Sequence, residues 1–121
     1  MKPWDLTWEA RSFNLEEQDA SPWLVCVTSS WHDLFLAREV LKTKPTSIGL
    51  WNILIQAFTC SERVEVPRPK SLRVEAHQGW ESLTGRLKEI GIKLVKTCDL
   101  DYPDGFPEWI DSEWQKWQHR T

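Results

Sequence analysis

Residues 67–98 read PRPKSLRVEAHQGWESLTGRLKEIGIKLVKTC. Leu72, Val74 and Ala76 alternate with Arg73 and Glu75, the period of a half-buried strand. From Trp80 the period changes. Trp80, Leu83, Leu87 and Ile90 recur at helical spacing and predict one apolar helix stripe. Gly91 then stands where a helix end needs a left-handed residue, and Ile92 to Val95 open a second strand. Strand, helix and strand over this length predict a parallel βαβ unit, with strands at Lys70–Ala76 and Ile92–Cys98.

Outward from this unit the other elements follow. Trp23 to Thr28, WLVCVT, is a continuous apolar run, as in a strand covered on both faces. Leu34 to Leu41 is a second strand, and the short polar turn before it predicts an antiparallel hairpin. Pro45 and Thr46 open a helix, Thr46 as N-cap. Its inward stripe is expected at Ile48, Trp51, Leu54, Ile55 and Phe58. Asp99 to Pro107 is turn-rich, and Pro107 suits the first turn of a last helix. On that helix Ile110, Trp114 and Trp117 share one face and are expected inside, whereas Trp109, Tyr102 and Phe106 are expected outside. Residues 1–22 read as an N-terminal arm laid on the domain, with room for an extra edge strand around Trp8 to Phe13. The expectation is a single α/β domain over residues 23–121, in the order ββαβαβα, with a mixed sheet containing the parallel βαβ unit and flanked by helices.

The 121 residues fit one domain with a real core. A net charge of −3 argues against general binding to nucleic acid or to anionic membranes. The charge is uneven: Arg63, Arg68, Lys70, Arg73, Arg86, Lys88, Lys93 and Lys96 precede an acidic run from Asp99 to Glu113. Cys26, Cys60 and Cys98 are far apart in apolar surroundings and form no CxxC pair, so neither a disulfide framework nor a metal site is expected. The N-terminus lacks an apolar signal core, and the most apolar stretch, Ile48 to Phe58, is too short to span a membrane. The reading is a cytoplasmic protein. Nine tryptophans are several-fold more than ordinary composition supplies.

Pro45-Thr46, Arg68-Pro69, Leu72 and Val74, Leu83 and Leu87, Ile90-Gly91-Ile92 and Asp99-Leu100 together resemble a family of bacterial domains of unknown function with members in photosynthetic bacteria. The resemblance spans roughly residues 22–118 and implies a fold and a bacterial host. The chain departs from that family's pattern at Thr28, where an aspartate is frequent, and at Glu75-Ala76-His77. The order of elements also resembles a shortened ribonuclease-H-like topology. Such nucleases gather carboxylates around paired metals. Thr28, taken as the first-strand position, supplies none, so an active nuclease is not expected.

Two surfaces are candidates for function. If the strands at Trp23–Thr28, Lys70–Ala76 and Ile92–Cys98 run parallel, Ser29, Ser30, Glu75, His77 and Asp99 meet at one sheet edge, where open α/β sheets bind ligands. A His among carboxylates and hydroxyls could do acid–base work there. The other candidate is the C-terminal region, where Tyr102, Phe106 and Trp109 lie among Asp101 and Asp104, an aromatic surface suited to protein docking. No Walker, HExxH, GxSxG or dinucleotide motif is present. The preferred expectation is a non-catalytic domain that binds another protein as a regulator or accessory factor, through the C-terminal region and without a cofactor. The alternatives are a small enzyme or small-molecule sensor at the strand-end edge, and a nucleic-acid binder through Arg68, Lys70, Arg73, Lys93 and Lys96, which the net charge disfavours.

Overall fold

The computed structural model describes residues 7–14, 22–29, 34–75, 79–97, 100 and 106–119, apart from the side chains of Phe13, Phe106 and residues 117–119. In TWEARSFN, Trp8 and Ala10 alternate with Glu9 and Arg11, and this stretch, Thr7–Asn14, is strand β1. It is followed by β2 (Trp23–Ser29), β3 (Leu34–Leu41) and α1 (Ser47–Arg63). Next come β4 (Ser71–Glu75), a 3-10 turn at Trp80–Leu83, α2 (Thr84–Glu89), β5 (Lys93–Thr97) and α3 (Phe106–His119). The expected order of elements is present, with one more strand in front of it.

That strand occupies the middle of the sheet, whose order is β3-β2-β1-β4-β5. β1 pairs antiparallel with β2 and parallel with β4. The edge position expected for Trp8 to Phe13 is therefore corrected, as is the arm for the described part of residues 1–22. The physical reason is the alternation itself. Trp8 and Ala10 have no exposed surface, so this strand supplies the core with side chains that an edge strand would leave in water.

β4 and β5 pair parallel, in the register Leu72–Leu94 and Val74–Lys96, so the βαβ unit has the predicted sense. β2 and β3 pair antiparallel, with a shift in register between Val27 and Thr28. The extra residue at this irregularity is Leu36, which joins the large core together with its neighbour Ala37, whereas Phe35 packs beside Trp109 on the other face.

The large core lies between one sheet face and the helices α1 and α2. Trp8, Ala10, Val25, Val27, Leu72 and Val74 meet Leu50, Ile53, Leu54, Ala57 and Phe58 from α1, and Trp80, Leu83 and Leu87 from the crossover. On the other face, Trp109 and Ile110 of α3 pack with Leu24, Cys26, Phe35 and Val40. The result is a single small α/β domain with a mixed sheet and helices on both faces.

Helix ends follow the expected chemistry. Thr46 Oγ1 accepts the Gly49 N–H at 3.1 Å, the predicted N-cap. After α2, Gly91 takes φ 78° and the Ile92 N–H reaches Leu87 O at 2.9 Å, a Schellman-type end. Two inward assignments change. Ile90 is 47% exposed because the chain leaves the helix at that residue. On α1 the buried set is Leu50, Ile53, Leu54, Ala57, Phe58 and Ser61, which turns Ile48 and Ile55 away from the core.

Candidate functional site

The central position of β1 puts two charged residues on the sheet face opposite Trp8 and Ala10. The register sets Glu9 beside Thr28 of β2 and Arg73 of β4. It sets Arg11 beside Cys26, which in turn faces Arg38 of β3. Glu9 Oε2 lies 3.7 Å from Arg11 Nη2 and 3.7 Å from Arg73 Nη1. Arg11 Nη1 also donates to Thr28 Oγ1 at 3.3 Å. Arg11 is 2% exposed, Glu9 15% and Arg73 43%, so the network runs from the interior outward to solvent.

This arrangement holds a buried guanidinium in place. One carboxylate shared between two cations leaves the local field positive, which disfavours a divalent cation beside Glu9. Thr28 does not occupy the first strand, because β1 precedes β2 and sets Glu9 beside Thr28. Among the described residues no three His, Cys, Asp or Glu side chains gather as a metal group. Burial pushes the Cys26 thiol up to about 12, against a smaller opposing effect of the neighbouring Arg11.

The strand-end candidate is divided by the topology. β2 runs antiparallel to β1, and β1 runs parallel to β4. Ser29 therefore pairs with Trp8, level with Leu72 near the start of β4, whereas Glu75 ends β4 beside Thr97. The two residues sit at opposite ends of the sheet, which corrects the expectation that they share an edge. Ser29 is buried, and Glu75 Oε1 accepts the Leu100 N–H at 3.0 Å. Ser30, His77 and Asp99 lie outside the described residues.

At the C-terminal candidate, Trp109 is 8% exposed, contrary to expectation. Its ring meets Phe35 edge-on at 5.8 Å and packs on Leu24 and Cys26. α3 docks through positions 109 and 110, which leaves Trp114 half-buried. Asp101, Tyr102 and Asp104 lie outside the described residues, as do the side chains of Phe106 and Trp117.

A third surface was not read from the sequence. From Ser47 to Ser61, α1 carries no charged residue. Ile48 is 63% and Ile55 43% exposed, with Asn52, Gln56 and Thr59 exposed among them. Positions 48 and 55 lie two helical turns apart on one side. Half-buried Trp51 borders them, with the Arg86 guanidinium 5.6 Å over its ring. A solvent-facing helix side ordinarily carries charge. The signal that could have revealed this face is the absence of Asp, Glu, Lys and Arg over the whole run. No protein-family model matches the chain, and no curated protein does.

Proposed function

We propose that this domain is a non-catalytic protein-binding module, a regulator or accessory factor that docks a partner on the uncharged outer face of α1. The observation that carries this reading is the pair Ile48 and Ile55, exposed on a helix side with no charged residue from Ser47 to Ser61. Apolar side chains held in water on a rigid helix lose hydration cost when a partner covers them. Trp51 beneath Arg86 supplies an aromatic rim of the kind that anchors interfaces. Two carboxylates of the sheet are engaged by the fold itself, Glu9 by two arginines and Glu75 by a backbone amide.

The partner is a protein presenting an apolar surface, because a charged ligand would gain nothing from this face. The domain acts inside a bacterial cytoplasm in this reading. Among the described residues no helix is long and apolar enough to cross a membrane. The test is affinity purification of the tagged chain and of an Ile48→Glu/Ile55→Glu variant from the host cell. A stoichiometric partner retained by the parent and lost from a variant of unchanged melting temperature supports the proposal. Equal recovery by both overturns it.

A further inference from the structure

Among the described residues the sheet ends at β5, and beside it lies a groove of about 350 Å³ lined by Thr84, Lys88, Gly91, Ile92, Lys93 and Leu94. Its floor is apolar, with Ile92 buried and Leu94 half-buried, and exposed Lys88 and Lys93 flank it. Gly91 has no heavy atom within 4 Å of where a side chain would begin, which keeps the groove mouth open.

Backbone geometry adds a second feature. The Lys93 N–H bonds Lys70 O at 2.9 Å, so Lys93 turns its peptide groups towards β4. Successive strand residues direct those groups to opposite sides, so Leu94 and Lys96 turn theirs to the open edge. The side chains of Leu94 and Lys96 share the α2 side of the sheet, since their partners Leu72 and Val74 belong to the large core.

We infer that the β5 edge takes up an extended acidic peptide segment of a partner protein as a sixth strand. Main-chain hydrogen bonds to Leu94 and Lys96 would supply binding, as in other strand additions. An apolar peptide side chain fits over Ile92 and Leu94. Side chains two residues apart along a strand are about 6.6–6.8 Å apart, so the next one on that face lies opposite Lys96. The recognised pattern is an apolar and an acidic residue separated by one position. Charge selects this occupant: Lys88, Lys93 and Lys96 are all exposed at this edge. The site is separate from the outer face of α1, so either proposal can fail alone.

The experiment uses the full chain and capped fluorescent octapeptides carrying Leu and Glu two positions apart on a Thr and Gln background. Versions with Lys for Glu are the controls. Saturable binding of the acidic peptides is expected. A Lys88→Glu/Lys93→Glu/Lys96→Glu variant of unchanged circular dichroism should lose about tenfold in affinity. Amide exchange at Leu94 and Lys96 should slow when peptide is added. The single Lys96→Glu variant serves the same purpose if the triple variant does not fold. Equal binding of the Lys peptides, no binding at all, or tighter binding of a random DNA duplex would overturn the proposal. Slow exchange at Leu94 and Lys96 in the free protein would overturn it too, by showing the edge already occupied.

Discussion

Arg11 is the side chain on which the second sheet face depends. A guanidinium at 2% exposure is tolerated only when opposite charge and hydrogen-bond acceptors surround it. Replacing Arg11 by Ala should cost about 3 kcal/mol, whereas Met, which fills the same space without charge, should cost clearly less. Urea unfolding of the two variants separates electrostatic from packing loss. Cys26 makes a prediction about pH. Its thiol is held up to about 12 against an ordinary value of 9.0, mainly by burial. Between those values the unfolded chain releases the proton and the folded chain keeps it, so this contribution to stability is full below pH 9.0 and is lost as pH rises towards 12. Thermal melts from pH 8 to 11 should fall more steeply for the parent than for Cys26→Ala. Under native conditions Cys26 should also label with a thiol reagent more slowly than half-buried Cys60. Cys26 was legible as a buried thiol because WLVCVT is apolar throughout. Glu9 and Arg11 were not, because nothing local says that two charges in a short polar segment will lie in the centre of a sheet.

Among the elements, the βαβ unit was legible in its order and parallel sense, since its period changes from strand to helix and Gly91 marks the change back, but its stripe ran one residue too far, to exposed Ile90. α1 was legible as a helix and in part of its inward side: Leu54 and Phe58 are buried as expected, whereas Ile48 and Ile55 are exposed. Residues 48–58, IGLWNILIQAF, are apolar nearly all round, so periodicity alone leaves the inward side open between the side of Leu50 and Ile53 and the side of Ile48 and Ile55. The core chose the first. α3 shows the same effect, with Trp109 inward in place of an outward position. The end of α1 carries one element-scale prediction. Glu65 has φ 60°, the left-handed conformation that Gly91 takes after α2, and the Val66 N–H reaches back to Ser61 O at 2.9 Å. A side chain there is strained. Glu65→Gly should therefore stabilise the fold by about 0.5–1 kcal/mol, measured by chemical unfolding. A loss of stability would show that Glu65 makes a compensating contact.

For the whole molecule, the decisive feature is that β1 joins an antiparallel half, β2 and β3, to a parallel half, β4 and β5. An arm could be removed with little harm. A strand bonded on both sides cannot, so deletion of residues 1–14 should abolish cooperative unfolding and near-ultraviolet dichroism. Strand order depends on long-range pairing, which is why a polar segment with few apolar points reads as peripheral until its alternation is matched to two neighbours. The functional account rests on what this architecture leaves uncovered, above all the outer face of α1. A photo-crosslinking residue placed at position 55, and separately at exposed Glu108 on α3, tests it in living cells. A single partner adduct from position 55, with none from position 108, is the predicted result. An adduct from position 108 with none from position 55 would contradict it and return the contact to the C-terminal helix.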